Sequence, residues 1–327
     1  MKVYAIVVLY NGKKWVDRCF GSLRLSELPL NVIVIDNAST DGSQDIVRSK
    51  YPEVDFIPAE KNLGFGAANN IGIRKAYDEG ADYVFLLNQD AWIEPDTVKK
   101  LVEVSNKNDE YGVISPMHLT GNGNRLEYGF SMYLRPDHCA NFLSDLYVTD
   151  LKDALYPIKF VNAAAWLLRR DCIEKVGGFS PVFYHYGEDD NYIHRVHYHG
   201  MKVGIYPYAK IYHDIEQRAT PESMLGKNLQ EQMLLIQYSN PFNNNLLDKD
   251  LKIYFRRVLK SLMSLSIRNS ILLYKKYKKY SGLRRHILSN LETSKKTGLS
   301  FLHHKTAYYL NSESVVSESK EKQDKYQ

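Results

Sequence analysis

The sequence predicts an α/β fold in which a mostly parallel sheet is flanked by helices and followed by a helical C-terminal extension. Short apolar runs alternate with helix-forming segments over the first third of the chain, and clusters of Asn, Asp and Gly follow the runs. Residues 249–300 carry fourteen Lys and Arg but only two acidic residues, so a basic segment follows a more acidic body. With 327 residues, of which 44% are hydrophobic, the chain can form one large domain and an appendage.

Four apolar runs account for the predicted parallel strands. They are bounded by polar turns and comprise Val3–Leu9, Val32–Asp36, Val54–Pro58 and Tyr83–Leu87. Between them, N-cap oxygens at residues 39–41 and the Ala-rich segment Gly66–Tyr77 indicate helices. This alternation is typical of a parallel sheet with helices on both faces. Further candidate strands are Val113–Leu119, Arg125–Tyr133, Val203–Tyr206 and Lys210–Tyr212, and Glu188–His199 is a candidate helix.

The residues that follow the first four strands are the candidate ligand-binding residues. In open α/β sheets, ligands bind beyond the carboxyl ends of the strands. The polar residues at these ends are Tyr10, Asn11, Asp36, Asn37, Asn62, Gly64, Asn69, Asn88, Gln89 and Asp90. Because Asn, Asp and Gly are also the commonest turn formers, each position taken alone has a purely structural alternative. Together they indicate one assembled site.

Six motifs in a fixed order resemble those of a known family. They are Ile6–Asn11, Val34–Gly42, Asn62–Gly66, Leu86–Asp90, Gly177–Phe179 and Glu188–Asp190, the last followed by Arg195. Across residues 3–215 the chain resembles the family 2 inverting glycosyltransferases, and within them the rhamnosyltransferase-like and galactofuranosyltransferase-like branch. The resemblance implies a GT-A fold, that of the nucleotide-diphospho-sugar transferases. It also implies a nucleoside-diphosphate sugar donor such as dTDP-rhamnose or a UDP-hexose.

The resemblance assigns the strand-end residues to the donor. Asp36 would bind the base together with the neighbouring Asn37. The remaining implied donor contacts are Tyr10, Asn11, Asn62, Gly64, Asn69, Asn88 and Gln89. The structural alternative is that Asp36, like Asp41, only caps the helix that follows.

Asp90 and His213 are the implied ligands of Mn²⁺ or Mg²⁺. A hard divalent cation would offset the negative charge of the diphosphate as it leaves. Asn88 stands where many relatives have a first carboxylate, so we expect a weaker affinity for the cation. A lone histidine after a strand usually has a structural role, which is the alternative for His213.

Asp189 is the implied base that takes the proton of the acceptor hydroxyl, with Glu188 beside it in the catalytic centre. Like-charge repulsion from Glu188 and Asp190 would raise the pKa of Asp189. Acidic residues at a helix start also complement the helix dipole, which is the structural alternative. Relatives often carry a further Asp where this chain has Asn191.

Trp166 and Arg195 are the implied acceptor-binding residues. An aromatic ring can stack on the apolar face of a pyranose, which would suit Trp166 beside the acceptor sugar. Packing in the core is the alternative for this side chain.

Three other classes of site do not fit the sequence. The segment Gly64–Asn69 lacks the third glycine of a dinucleotide fingerprint and follows the third strand. The four histidines between residues 185 and 199 lie in or beside a segment that is already explained as a helix, so zinc is not predicted. The basic segment is amphipathic, which argues against a nucleic-acid partner.

The predicted domains are a GT-A catalytic domain at residues 1–220, a basic amphipathic helical extension at 221–310 and a disordered tail at 311–327. Apolar residues such as Leu251 and Phe255 share one helical face, and cations such as Lys252 and Arg256 share another. Residues 250–290 are therefore predicted to contact an anionic membrane peripherally, as expected for a lipid-linked acceptor. The alternatives are packing against the catalytic domain or against a second protomer in a homo-oligomer.

These inferences predict an inverting, metal-dependent glycosyltransferase that acts on a glycan or a lipid-linked glycan in cell-surface polysaccharide synthesis. The alternative is a catalytically inactive nucleotide- or glycan-binding subunit of a polysaccharide assembly complex, because Asn88 and Asn191 replace carboxylates. Three sparse cysteines and the lack of a cleavable leader favour a cytoplasmic protein, peripheral on the cytoplasmic face of the inner membrane.

Overall fold

A nine-stranded sheet with helices on both faces forms the body of the computed structural model, which describes residues 1–215 and 232–302. The strands are β1 (Val3–Leu9), β2 (Asn31–Asp36), β3 (Asp55–Pro58), β4 (Tyr83–Asn88), β5 (Ala91–Ile93), β6 (Tyr111–Thr120), β7 (Tyr156–Pro157), β8 (Ala165–Arg169) and β9 (Lys202–His213). The helices of the body are α1 (Val16–Arg24), α2 (Ser43–Lys50), α3 (Phe65–Asp78), α4 (Thr97–Ser105), α5 (Tyr128–Tyr133), α6 (Phe142–Val148), α7 (Arg170–Val176) and α8 (Glu188–Tyr198). The C-terminal helices are α9 (helical residues 232–239), α10 (Leu246–Met263) and α11 (Ile267–Ser294).

The sheet brings most of its strand ends to one edge. Its strand order is β3-β2-β1-β4-β8-β6-β9-β5, and the short β7 pairs with β9. Strands β1 to β4 are mutually parallel, and β8 lies antiparallel between β4 and β6. Because β6 pairs in parallel with β9, both run in the same direction as β1 to β4. Six strands therefore end at the same edge, which confirms the mostly parallel sheet that the sequence predicts.

Burial on both faces explains the continuous apolar runs of the central strands. In β1, Ile6 packs into the cluster on one face, whereas Val7 and Leu9 pack into the cluster on the other. Gly72 of α3 allows this helix to lie directly on the sheet, since a Cβ there would press on Ile6. A strand covered on both sides needs apolar residues at every position, so the strand pattern is a run and not an alternation.

Two predicted strand segments differ from the structure. The segment Arg125–Tyr133 is not a strand, because only Leu126 makes a bridge, to Leu119, before α5 begins. The carbonyl of Glu127 accepts a hydrogen bond from Ser131 N–H (2.9 Å), which starts the helix. The two short strands predicted between residues 203 and 212 form the single strand β9, whose register against β6 shifts in the middle.

The C-terminal helices form a hairpin that is tied to the body. Tyr238, Leu247 and Tyr280 belong to a separate small apolar core between α9, α10 and α11. After α11 the chain returns to the body, where the Ser300 carbonyl accepts a hydrogen bond from Gly178 N–H (2.8 Å). The predicted domain boundaries after residues 220 and 310, and the predicted tail, lie outside the described residues. Within residues 1–215 and 232–302, no helix has the length and apolarity needed to span a bilayer.

We expect Gly177→Ala to destabilise the protein by loosening this return segment. Gly177 has a φ of +80° and a ψ of −147°, a region that is almost restricted to glycine and costs an L-residue about 1–3 kcal/mol. A Cβ there would also clash with the Ser300 carbonyl oxygen, and such overpacking costs roughly 1–3 kcal/mol more. Urea unfolding measures the loss. Gly200→Ala is the matched control, because Gly200 has a φ of +77° but open space around its Cα. Equal losses in the two variants would contradict the proposed contact.

Candidate active site

A pocket of about 520 Å³ opens at the carboxyl ends of β1, β2 and β4, where the sequence predicts the donor site. The residues that line it are Val8, Tyr10, Asn11, Trp15, Asn37, Asn62, Gly64, Phe65, Asn88, Gln89, Asp90, Tyr184 and His185. The pocket thus gathers seven of the nine predicted donor residues and the predicted metal ligand Asp90.

Side-chain amides hold the loops around this pocket. Asn37 Nδ2 donates to Asn62 Oδ1 (2.9 Å), and Leu63 N–H donates to Asn37 Oδ1 (2.7 Å). Asn11 Oδ1 accepts from Thr40 N–H (2.8 Å), and Asn11 has a φ of +48°, a region that Asn enters more readily than most residues. These bonds join the ends of β1, β2 and β3 without any charged group. The Asn-rich strand ends therefore form turns and also line the pocket.

Gln89 and Gly64 fix two further parts of the wall. Gln89 Oε1 accepts from Tyr10 N–H (2.8 Å), and Gln89 Nε2 donates to the Tyr10 carbonyl (2.9 Å). Gly64 has a φ of +79°, and a Cβ there would clash with the Tyr184 carbonyl oxygen. Glycine at this position therefore allows the loop that carries Tyr184 and His185 to pack on the start of α3.

Asp36 and Asn69 lie beside the pocket without lining it. Asp36 is buried at the end of β2, and its Oδ1 accepts from Ser39 N–H (3.3 Å) in the following turn. Asn69 is buried on α3, and its Nδ2 donates to the Phe65 carbonyl (3.0 Å) one turn earlier. Both contacts stabilise local structure, so the assignment of these two residues to the donor stays a prediction.

Asp90 and His213 lie side by side although they are far apart in the sequence. The antiparallel pairing of β5 with β9 places Ala91 opposite His213, and Asp214 N–H donates to the Asp90 carbonyl (2.9 Å). His213 Nε2 is 3.3 Å from Asp90 Oδ1, and both side chains are buried. The two predicted metal ligands are thus adjacent, and Asp90 lines the pocket.

This pair has the chemistry of a divalent-cation site. His213 Nε2 is buried, and Asp90 Oδ1 is the polar atom that it faces, at 3.3 Å. Ligand atoms 3.3 Å apart can both reach one cation at the distances of about 2.0–2.2 Å that N and O ligands take. A carboxylate together with an imidazole suits Mn²⁺ or Mg²⁺.

Two further buried side chains, Glu127 and His118, lie beside the pair of Asp90 and His213. They were not predicted from the sequence. Glu127 Oε2 accepts from His213 Nδ1 (2.8 Å) and lies 3.7 Å from His118 Nδ1. Ligand atoms of His118, Glu127 and His213 all lie within 4.8 Å of one another. In the sequence, His118 belongs to an apolar strand and Glu127 to a segment predicted as a strand. A histidine in an apolar strand and one carboxylate in a predicted strand were the only available signals.

Opposite charges dominate the electrostatics of this group. Burial alone would lower the pKa of His213, but the hydrogen bonds and charges of Asp90 and Glu127 outweigh burial and raise the pKa to about 9. Burial would likewise raise the pKa of Glu127, yet its contacts with His118 and His213 lower the pKa to about 2. Burial lowers the pKa of His118. The group thus favours an ionised Glu127 beside a cationic or metal-bound His213.

The acidic triplet Glu188–Asp190 occupies the first turn of α8. Burial, followed by the charge of Asp189, raises the pKa of Glu188 to about 8 and that of Asp190 to about 7. Burial also raises the pKa of Asp189, and backbone N–H groups of Asp190 and Ala163 offset part of this rise. The pKa of Asp189 is raised as predicted, but burial is the cause and not repulsion from its neighbours; the charge of Asp189 instead raises the pKa values of Glu188 and Asp190.

Asp189 lies at the same end of the sheet as Asp90. The N–H of Ala163 bonds to Asp189, and the carbonyl of the next residue, Ala164, accepts from Asn88 N–H (2.9 Å). Asn88 ends β4 and lines the pocket, two residues before Asp90. A short backbone path therefore links Asp189 to the strand end that carries Asn88 and Asp90.

Trp166 and Arg195 do not reach the cleft, so their predicted contact with the acceptor is wrong. Trp166 on β8 is fully buried and stacks on Phe179, with 6.1 Å between the ring centroids. Arg195 is also fully buried and donates to the carbonyls of Val176 (2.7 Å) and Gly178. Core packing accounts for the indole, and the guanidinium holds the turn between α7 and α8.

Asn191 faces away from the cleft. Its Nδ2 donates to the Ser239 carbonyl (3.0 Å), and its Oδ1 accepts from Arg195 Nε (3.1 Å). The amide therefore ties α8 to the C-terminal extension. The presence of Asn in place of Asp at this position removes no carboxylate from the cleft.

Comparison with known proteins identifies one sequence family. The family described as "Glycosyl transferase family 2" matches residues 4–177. An N-acetylglucosaminyl-diphospho-decaprenol L-rhamnosyltransferase of Mycobacterium tuberculosis is 26% identical over 228 residues, which are 64% of this chain and 74% of that protein. The dTDP-rhamnosyl transferase RfbF of Shigella flexneri is 31% identical over 100 residues, 30% of this chain and 33% of that protein.

Solved structures resemble the fold across most of the chain. S. aureus TarS 1-349 in complex with UDP has a TM-score of 0.55 at 16% identity, covering 75% of this chain and 66% of that chain. The mannosyltransferase PcManGT from Pyrobaculum calidifontis, in complex with GDP-Man and Mn²⁺, has a TM-score of 0.51 at 18% identity, covering 90% and 86%. At these identities the likeness concerns the fold alone, and it confirms the predicted GT-A fold class.

We expect Glu188→Gln to stabilise the protein increasingly as the pH rises. The pKa of Glu188 is raised to about 8 in the folded protein, from 4.5. Between these values the folded state keeps a proton that the unfolded state has lost, so the stability of the wild type falls as the pH rises. The advantage of the variant should therefore grow from pH 4.5 to pH 8, on the order of 1–3 kcal/mol.

Urea unfolding at several pH values measures this difference. Glu79→Gln is the control of opposite sign, because the pKa of Glu79 on the surface is lowered, chiefly by its hydrogen bond from Lys75. A pH-independent difference between Glu188→Gln and the wild type would contradict the raised pKa.

Proposed function

Because the chain belongs to glycosyl transferase family 2, we propose that it transfers a sugar, with inversion, from a nucleoside-diphosphate sugar to a hydroxyl of a glycan or lipid-linked glycan. This proposal rests on two carboxylates, Asp90 and Asp189, that lie at the same end of the sheet and are linked through the backbone of Ala163, Ala164 and Asn88. The first carboxylate has a histidine at 3.3 Å, and the second stands in a buried acidic turn. One side of the cleft thus suits a diphosphate held by a cation, and the other suits a proton acceptor.

The pocket supports a nucleoside-diphosphate donor. Amide side chains such as Asn11 and Asn37 offer donors and acceptors, and the rings of Tyr10, Trp15 and Tyr184 offer flat apolar surfaces. Its volume of about 520 Å³ is within the range of roughly 300–1,000 Å³ for small-molecule sites. We assign dTDP-rhamnose as the donor, with a UDP-hexose as the second candidate. The names of the rhamnosyltransferase relatives support the first, and the UDP-bound TarS structure supports the second.

Asp90 and His213 would hold the divalent cation, Mn²⁺ or Mg²⁺. When bound, such a cation supplies positive charge to the departing diphosphate. His213 presents Nε2 toward Asp90, and burial of both residues keeps water from competing for them. Asn88 contributes a neutral amide to the pocket where a second carboxylate would add charge. The bound Mn²⁺ of PcManGT supports this cation class.

Asp189 is the proposed base. The acceptor oxygen bonds to the anomeric carbon from the face opposite the diphosphate, the bond between that carbon and the diphosphate oxygen breaks, and Asp189 takes the hydroxyl proton. Base catalysis of this kind contributes about 10²–10⁴-fold. The raised pKa of Asp189 makes it a better proton acceptor than an ordinary carboxylate. The raised pKa of Glu188 keeps that neighbour largely protonated at neutral pH, so it does not compete for the proton.

We expect Asp189→Asn to abolish sugar transfer and to leave donor binding intact, because an amide of the same shape cannot accept the proton. Release of nucleoside diphosphate from dTDP-rhamnose and UDP-hexoses in Mn²⁺ buffer measures turnover, and isothermal titration measures donor binding. The matched variant Asp90→Asn should instead weaken the Mn²⁺-dependent part of donor binding.

Retained turnover in Asp189→Asn would overturn the assignment of the base. Failure of the wild type to release nucleoside diphosphate from any donor, with donor binding intact, would instead favour the inactive nucleotide-binding subunit.

We propose that the hairpin of α10 and α11 contacts the membrane and that the protein is peripheral on the cytoplasmic face of the inner membrane. Residues 251–291 contain eleven Lys and Arg and no acidic residue. At the tip of the hairpin, Met263, Leu265 and Ile267 are 79%, 86% and 67% exposed. An exposed apolar tip between cations complements a bilayer with anionic head groups, where each Lys or Arg contributes about 1 kcal/mol. A lipid-linked acceptor would be presented at this surface.

We expect the combined substitution Met263→Ser, Leu265→Ser and Ile267→Ser to reduce partitioning onto anionic vesicles by about tenfold or more, because each buried CH₂ contributes about 0.8 kcal/mol. Sedimentation with vesicles of phosphatidylglycerol and phosphatidylcholine measures the partitioning. The control replaces Leu143, Leu146 and Val148, which are exposed apolar residues of α6, with Ser. Equal partitioning of both variants would refute the membrane contact, and loss of a dimer in the hairpin variant would favour the second protomer.

A further inference from the structure

Five buried polar side chains form a continuous line from the pocket into the body of the protein. Asp90 Oδ1 lies 3.3 Å from His213 Nε2, and Glu127 Oε2 accepts a hydrogen bond from His213 Nδ1 at 2.8 Å. Beyond Glu127, His118 Nδ1 lies 3.7 Å from the same oxygen, and His118 Nε2 is 3.0 Å from Ser115 Oγ. The relative exposure of Glu127 is 2%, and that of His118 is 0%. The line therefore lies in the protein interior, where the 2.8 Å hydrogen bond between His213 and Glu127 is stronger than it would be in water.

Glu127 decides which nitrogen of His213 is available. A carboxylate oxygen at 2.8 Å requires a proton on Nδ1. That leaves Nε2 as the nitrogen that can offer a lone pair, and Nε2 is the atom that faces Asp90. A carboxylate behind a ligating histidine fixes its tautomer and ring orientation and makes it a stronger ligand.

The backbone keeps Glu127 in place. Its N–H donates to the His118 carbonyl (2.9 Å), and the neighbouring Leu126 bridges to Leu119 on β6. Its own carbonyl accepts from Ser131 N–H and starts α5. The carboxylate is therefore attached to the sheet and not to a freely moving loop.

We propose that Glu127 is a positioning residue for the cation site, holding His213 with Nε2 directed at the cation beside Asp90. This inference rests on the proposed function, because it assumes that a cation binds between Asp90 and His213. No contact of Glu127 with donor, acceptor or cation is required.

A competing arrangement would place the cation among His118, Glu127 and His213. Binding there through Nδ1 would break the 2.8 Å hydrogen bond between His213 and Glu127. It would also leave the cation away from the pocket, since Asp90 lines the pocket and none of these three residues does. The geometry therefore favours a cation at Asp90 with Glu127 behind the histidine.

Mn²⁺ binding to the full-length protein, followed by electron paramagnetic resonance of free Mn²⁺, tests the inference. Glu127→Leu removes the acceptor and should weaken Mn²⁺ affinity about 10–100-fold. Glu127→Gln keeps an acceptor oxygen and should recover part of that loss. His118→Phe is the matched buried control, because it keeps the ring stacked on Phe130, whose centroid is 4.4 Å away, and should leave the affinity within about twofold.

Two further measurements separate positioning from a purely structural role. Binding of nucleoside diphosphate in EDTA should be unchanged in Glu127→Leu, and so should the cooperativity of thermal unfolding. In the Mg²⁺-loaded wild type, nitrogen-15 NMR of His213 should show a hydrogen-bonded proton on Nδ1. This signal should shift upfield in Glu127→Leu, and Glu127→Gln should restore it in part.

The outcomes distinguish this inference from the proposed function. Unchanged Mn²⁺ affinity in Glu127→Leu, with affinity lost in Asp90→Asn, would overturn the role of Glu127 alone. Equal losses in His118→Phe and Glu127→Leu would place the cation in the inner group and overturn the inference as well. No Mn²⁺ binding by the wild type would overturn both the inference and the proposed cation.

Discussion

The pairing of β5 with the end of β9 is the contact on which the cleft depends. It joins the two halves of the catalytic body, because Ala91 follows the fourth strand and His213 closes the last. The ladder fixes Asp90 and His213 within 3.3 Å, a precision that two loops could not maintain. The strands that end at the same edge of the sheet hold the other pocket residues near this pair.

Part of the fold could be predicted from the sequence because the apolar pattern of each strand agrees with the topology of the whole sheet. Strands buried on both faces give apolar runs, so β1 was predicted at its observed bounds, and β2 and β4 at bounds that differ by one residue. The order of the strand-end motifs then indicated a shared site, and the position of Asp90 at the pocket follows from the parallel sheet. These features depend on short stretches of sequence and on topology rules.

The rest depends on contacts that no local pattern encodes. Glu127 reaches His213 only because a turn after β6 folds the chain back, and that turn was predicted as a strand. Trp166 and Arg195 were assigned to the acceptor because an indole and a guanidinium can bind sugars. The residue type does not show how deeply a side chain is buried. Both are fully buried, since Trp166 stacks on Phe179 and Arg195 donates to carbonyls of the turn between α7 and α8. Burial by residues that are distant in the sequence is therefore the property that the sequence alone does not reveal.

Helix α8 carries the acidic triplet at one end and contacts the C-terminal extension along the rest of its length. Its first turn carries Asp189, whereas its later turns contact the extension through Asn191, Arg195 and His199. The ring of Phe301 covers the Arg195 guanidinium at 4.9 Å, and burial lowers the pKa of this arginine to about 10. A catalytic fragment cut before residue 232 would open this buried cation to water and release the support of the helix that bears the base. The extension thus supports α8 from the side away from the pocket, and residues far beyond the matched family region help to hold the helix that carries Asp189.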